Sequence, residues 1–141
     1  AAAPLAFTPQ HAHTRLGEIK RLGDRFVWIG NKRHDPGVLH FRFQSGIEAF
    51  TAGFVNFAPQ LELALFAAAK MRDWPRMVEL QEELAPLERL RSRFDDAGML
   101  KATMELMGLA GGPVRPPRIG VTAAEREEIE CELVRLGVLA G

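Results

Sequence analysis

The sequence has one cysteine, two tryptophans and no tyrosine in 141 residues. A single thiol, Cys131, excludes an internal disulfide and favours a reducing compartment. Charge of either sign is not in surplus: Lys plus Arg and Asp plus Glu number 18 each, for a formal net charge of zero. A neutral chain has no broad electrostatic attraction to DNA or RNA, so nucleic acid is not an expected partner. No apolar run approaches the roughly 20 residues that span a bilayer, and membrane insertion is not expected. The opening Ala1-Ala2-Ala3-Pro4-Leu5-Ala6-Phe7 has no basic n-region and is not read as a signal peptide. Together these absences predict a cytoplasmic protein. With 47% apolar and 26% charged residues, the composition is that of an ordinary globular domain.

The chain changes character near residue 57. Before it, short β-favouring runs alternate with helical stretches; after it, nearly everything has helical spacing. Pro4 to Thr8 reads as a short strand. Leu16, Ile19 and Leu22 recur every three residues in a helix over about 14–22, ended by Gly23-Asp24. Phe26-Val27-Trp28-Ile29, bounded by Gly30, reads as a buried strand. Asp35 and Pro36 predict a helix start, and Gly46 its stop. Ile47 to Gly53 reads as a further strand. The connections are too long for hairpins, so adjacent strands are expected to be parallel.

The second half carries clearer punctuation. Pro59 opens a helix to about Arg72, and Asp73 caps the next. Met77, Leu80, Leu84, Leu87 and Phe94 form one apolar stripe, with Pro86 inside it expected to kink the helix. Another helix is expected over about 99–107. Residues 109–121, with three prolines, read as an extended connector. Thr122-Ala-Ala-Glu125 is a capping box, and the last helix should turn Ile129, Leu133 and Leu136 inward.

This order of elements resembles the dihydrodipicolinate synthase / N-acetylneuraminate lyase family. Gly46-Ile-Glu-Ala-Phe-Thr-Ala-Gly-Phe-Val-Asn-Phe-Ala-Pro59 is similar to the family's last barrel strand and the helix start after it. Leu100-Lys-Ala-Thr-Met-Glu-Leu-Met-Gly108 resembles its penultimate helix, Gly112-Pro-Val-Arg-Pro-Pro117 its connector, and Thr122 to Leu139 its closing helix. Phe50 to Phe57 is also similar to the branch that dehydrates 5-dehydro-4-deoxyglucarate. The resemblance implies an α/β fold, the C-terminal portion of a (β/α)8 TIM barrel. About three parallel strands with their helices would occupy residues 1–72, and a C-terminal helical extension residues 73–141. A complete barrel needs eight strands and about 250 residues.

The family forms a Schiff base between a lysine on strand six and the keto group of pyruvate or a related 2-keto acid. That position aligns with Phe7 or Thr8, neither of which forms an imine. The lysines present are Lys20, Lys32, Lys70 and Lys101, of which only Lys32 falls outside a helix. The family's catalytic tyrosine has no counterpart. No catalytic residue is therefore assigned in this chain. What remains is a candidate substrate side at the C-terminal ends of the strands: Gly30 and Asn31 after strand seven, and Thr51 on strand eight. Thr51 is equally readable as an ordinary strand threonine.

Other features have plainer readings. Asn31-Lys32-Arg33-His34-Asp35 is a polar loop suited to a substrate carboxylate or simply to solvent. An exposed loop Lys32 is a poor substitute for the missing lysine, since the nucleophilic amine must be buried in an apolar pocket. His11, His13, His34 and His40 match no standard metal spacing, so neither metal nor cofactor is expected. Pro113-Val-Arg-Pro116 matches a PxxP peptide ligand but reads better as packed connector. The expected activity is that of a Schiff-base 2-keto acid lyase or aldolase, of which this chain is the C-terminal part, inactive alone. A sugar-acid dehydratase and a non-catalytic remnant or assembly module are the alternatives. The expected partners are a small 2-keto acid or sugar acid and further copies of the chain, since the family is commonly oligomeric.

Overall fold

The computed structural model describes residues 21–32 and 38–140. Strand β1 (Ile29–Asn31) and strand β2 (Ala49–Thr51) pair in parallel, with Ile29 opposite Ala49, Gly30 opposite Phe50 and Asn31 opposite Thr51. Helix α1 (Leu39–Gln44) connects them. This is the strand–helix–strand unit that parallel pairing requires. The third expected strand, over Pro4 to Thr8, lies outside the described residues. So does the Asp35-Pro36 helix start. Strand β1 begins at Ile29, three residues later than the apolar run that predicted it. Phe26 and Val27 lie before the ladder, 49% and 67% exposed. The run is as apolar as a buried strand because its sequence is suited to cover on both faces. Among the described residues, the sheet supplies only one paired edge.

After β2 the chain makes a 3-10 turn, Gly53–Asn56, and enters α2 (Pro59–Met71) with Pro59 at its first position. Arg72 ends α2 in the left-handed conformation (φ 58°), and Asp73 then accepts a hydrogen bond from the Arg76 backbone N–H to begin α3 (Trp74–Arg93). The expected Asp73 cap is thus present, and the tight α2–α3 turn leaves two long helices side by side. Pro86 lies inside α3 without ending it. Helix α4 (Asp96–Leu106) starts a turn earlier than its apolar pattern predicted, because the Asp95 side chain accepts from the Gly98 N–H and caps it there. The connector crosses α4 closely: a Cβ on Gly98 would lie 2.5 Å from the Ile119 carbonyl oxygen, so the crossing needs glycine. Lys101 of α4 pins the same connector by donating to the carbonyls of Gly111 and Pro113. This is the packed-connector reading of the Pro113–Pro116 stretch. Helix α5 (Ala123–Arg135) opens on the complete Thr122–Glu125 capping box.

Two apolar cores meet along α3. Its first half, through Met77 and Leu80, packs on Leu39 of α1 and on Leu65, Ala68 and Ala69 of α2. Its second half, through Leu84, Leu87 and Leu90, packs on Phe54 and Phe57, on Met99 and Ala102 of α4, and on Ile129 and Leu133 of α5. The stripe read from Met77 to Leu87 is core along its length, and Phe94 packs partly buried against the second cluster. Among the described residues, no helix is long and apolar enough to cross a membrane.

Candidate functional site at the strand ends

Alternation along a strand decides which side chains face which side of the sheet. Gly30 is buried, and its register partner Phe50 packs edge-on against Phe43 of α1 and Phe66 of α2. That face of the sheet belongs to the helices. Asn31 and Thr51, opposite each other in the register, are exposed on the other face, which in a closed barrel is the interior. The expected substrate-side residues therefore come together, but in two ways. Asn31 and Thr51 offer side chains at the open ends of adjacent strands. Gly30 offers backbone only, and a Cβ there would press to 3.1 Å of the Ile47 side chain. From α1, Arg42 donates to the Asn31 carbonyl and fixes the end of β1.

Lys32 corrects the sequence expectation. It was read as an exposed loop lysine, and it is 4% exposed. One residue beyond Asn31, it falls on the Gly30 side and enters the layer between sheet and helices. Its ammonium donates to Glu62 Oε1 at 2.5 Å and stands 3.0 Å from Glu88 Oε1. The Phe54 ring lies 4.9 Å below it. A buried lysine needs compensation of this kind, because an unpaired charge there is prohibitive. The remaining residues of that polar loop, Arg33 to Asp35, lie outside the described residues.

The cluster continues outward. Arg91 of α3 sits with its guanidinium carbon 5.5 Å from the same Phe54 ring and pairs with Asp96 at the start of α4. Burial raises the Glu62 carboxyl above the usual carboxylate range; the Lys32 charge and hydrogen bond and the Arg91 charge pull it down, Glu88 adds to the rise, and burial prevails. The sequence carried a signal for this cluster that its apolar stripes obscured. Glu62, Leu65 and Ala69 share one side of α2. Met77, Gln81, Leu84, Glu88 and Arg91 recur at steps of four and three along α3. A charged residue in register with a core stripe is a candidate buried charge.

Lys32 is thus on the opposite side of the sheet from Asn31 and Thr51, with its ammonium engaged by carboxylates. Lys70 and Lys101 lie on helices, as expected. Among the described residues, no lysine reaches the Asn31–Thr51 face. Phe7 and Thr8, the positions aligned with the family's imine-forming lysine, lie outside the described residues, as do His11 and His13. No group of three His, Cys, Asp or Glu side chains among the described residues is placed to hold a metal. A cleft between α4, the connector and the start of α5 is lined by Lys101, Glu105, Val121 and Arg126 among others, and by none of the strand-end residues.

A parallel strand–helix–strand unit, with polar residues at the carboxyl ends of its strands and a helical bundle packed after it, fits part of a (β/α) barrel. The chain belongs to the dihydrodipicolinate synthase family. It is 29% identical over 119 residues to a protein of Ralstonia nicotianae described as a probable 5-dehydro-4-deoxyglucarate dehydratase, matching 82% of this chain and 38% of that one. It is 36% identical over 94 residues to the 4-hydroxy-tetrahydrodipicolinate synthase of Methanopyrus kandleri, matching 67% of this chain and 30% of that one. The crystal structure of dihydrodipicolinate synthase from Oceanobacillus iheyensis superposes with a TM-score of 0.73 and 25% identity, over 88% of this chain and 43% of the other. The chain therefore spans less than half the length of these relatives. No family model matches it.

Proposed function

We propose that this chain is the C-terminal portion of a Schiff-base lyase or aldolase acting on a small 2-keto acid, and that it is inactive alone. Residues 1–72 would be barrel and 73–141 the helical extension. Gly30, Asn31 and Thr51 would line the substrate side. The observation that carries this reading is the pairing of Asn31 with Thr51, both exposed, at the carboxyl ends of adjacent parallel strands. Barrels of this kind place their active sites at those ends. Inactivity follows from the chemistry: an imine needs a desolvated, uncharged amine beside the keto group. Among the described residues, the only lysine adjoining these strand ends is Lys32, which faces the other side and is ion-paired. The setting that fits is a cytoplasmic homo-oligomer.

A second reading, a dehydratase of sugar acids, is favoured by a specific observation. Relatives from Ralstonia nicotianae and Rhizobium meliloti, 29% and 34% identical, are both described as probable 5-dehydro-4-deoxyglucarate dehydratases. Borohydride trapping read by intact mass tests both at once, with pyruvate in one arm and 5-dehydro-4-deoxyglucarate in the other. No adduct in either arm on a folded sample is expected. A reduced adduct on any lysine would overturn inactivity, and the arm giving it would choose the substrate class.

A further inference from the structure

Lys32 holds the strand ends by two separate attachments. Its backbone N–H donates to the Thr51 carbonyl at 3.3 Å, continuing the β1–β2 ladder one residue past Asn31. Its side chain runs the other way and ends between Glu62 of α2 and Glu88 of α3. Phe54, three residues after Thr51 and fully buried, carries the Lys32 ammonium and the Arg91 guanidinium within 5.5 Å of its ring centroid. The ends of both strands are thereby fastened to one buried ionic cluster.

That cluster is an expensive way to pack a helix against a sheet. It holds three carboxylates, those of Glu62, Glu88 and Asp96, against two cations, Lys32 and Arg91. Glu62 Oε2 and both carboxylate oxygens of Glu88 are buried without a hydrogen-bond partner; the Lys32–Glu88 approach is an ion contact without hydrogen-bond geometry. Apolar side chains of similar volume often hold such a site equally well or better. What they do not supply is a directional hold on one backbone position. Arg42 grips the same strand end from α1, through the Asn31 carbonyl.

We propose that Lys32 is a positioning residue: its buried ammonium fixes the backbone between Asn31 and Thr51, and so sets how the two side chains are presented at the strand ends. The positioning rests on the geometry; its use for a substrate rests on the reading of these strand ends as substrate-facing.

Amide hydrogen exchange on the full chain tests the positioning, and a pyruvate titration followed at the Asn31 and Thr51 amides tests the use. In Lys32→Met, which keeps length and loses charge, exchange at the Lys32 and neighbouring β1–β2 amides should rise about tenfold or more, while α5 amides stay within about twofold, as for a local opening. Lys32→Arg keeps the charge and should recover most of the protection, though not all, because a guanidinium fits two carboxylates differently. Should Lys32→Met fail to fold, the double variant Lys32→Met/Glu62→Gln removes the pair together and is read in the same way. Unchanged strand-end exchange, or an equal rise across the chain, overturns the proposal. Pyruvate shifts at Asn31 and Thr51 that weaken in Lys32→Met would support the substrate role. A localised exchange change with no pyruvate shift in the wild type would support the positioning and overturn the substrate reading.

Discussion

The strand ends and the C-terminal helices are held by different means. From Trp74 onward, α3, α4 and α5 each begin on a side-chain cap, at Asp73, Asp95 and Thr122. Their inward residues Leu87, Met99, Ile129 and Leu133 are fully buried against one another. The strand region has ladders of three residues, no side-chain cap on α1, and Val27, Ile29 and Phe41 more than half exposed. These three apolar residues lack full cover among the described residues, while the helices satisfy themselves locally. The strand region binds to the rest through Leu39 and Phe50 in one apolar cluster and, at the strand ends, through charge. Part of a parallel barrel can therefore keep a well-formed helical side and an open sheet side at once, because helical hydrogen bonds are internal and those of a sheet are not.

The largest predicted effect breaks the self-sufficient side. Leu87 is fully buried where α3 meets α4 and α5, so Leu87→Ala removes side-chain contacts and leaves a cavity that packed helices cannot easily close. The expected loss is about 3 kcal/mol in urea unfolding. A loss under about 1 kcal/mol would mean the helices are not the stable part.

The next effect probes the charged joint between the two regions. Because burial raises the folded-state pKa of Glu62 above its unfolded value, the folded state holds this proton more tightly. Its contribution to stability is full below the ordinary glutamate range and is lost as pH rises through the raised folded value. Glu62→Gln should flatten that decline while leaving the rest of the pH profile in place. Thermal midpoints measured from about pH 4 upward, beginning near the ordinary glutamate value, are the measurement. An unchanged slope in Glu62→Gln would show that Glu62 is ionised in the fold, with Lys32 outweighing burial.

A smaller effect sits on one helix end. The Thr122 hydroxyl accepts from the Glu125 N–H, and the Glu125 carboxylate accepts from the Thr122 N–H. Thr122→Ala removes half of this box and should cost about 1 kcal/mol by urea unfolding. If the loss is instead spread over α3 and α4 in hydrogen exchange, the cap is serving the packing of α5 and not its end alone.

The helices were legible in the sequence because their signals are local. Pro59, Asp73 and the Thr122–Glu125 pair each name an orphan donor or a tolerated position within one turn, and each stands where it was read. The start of α4 was missed by a turn because the apolar pattern begins at Met99, whereas Asp95 caps further upstream. Strand β1 was displaced for a different reason. Phe26-Val27-Trp28 has strand composition, but ladder formation depends on what lies beside it, which composition does not contain. The candidate site divided in the same way. Asn31 and Thr51 were suggested by resemblance, and the register sets them side by side. The fate of Lys32 depended on which face of the sheet it takes and on two glutamates 30 and 56 positions away. Its own neighbours, Asn31 and Arg33, gave it the look of a solvated loop, while the telling signs were Glu62 and Glu88 standing in apolar stripes.

The smallest predicted effect is the sharpest test of the contrast between the two regions. Ile29 lies in β1, is 61% exposed and occupies the same face as Asn31 and Thr51. Threonine keeps the β-branch, so Ile29→Thr retains strand propensity and loses mainly apolar area that already meets solvent. The expected change is within about 0.5 kcal/mol by urea unfolding at low protein concentration, the range of an ordinary surface substitution. If the substitution instead costs about 2 kcal/mol or more, with a midpoint that rises with protein concentration in the wild type alone, Ile29 is covered by another copy of the chain. The open face would then be a subunit contact, and the strand region would be no less packed than the helices.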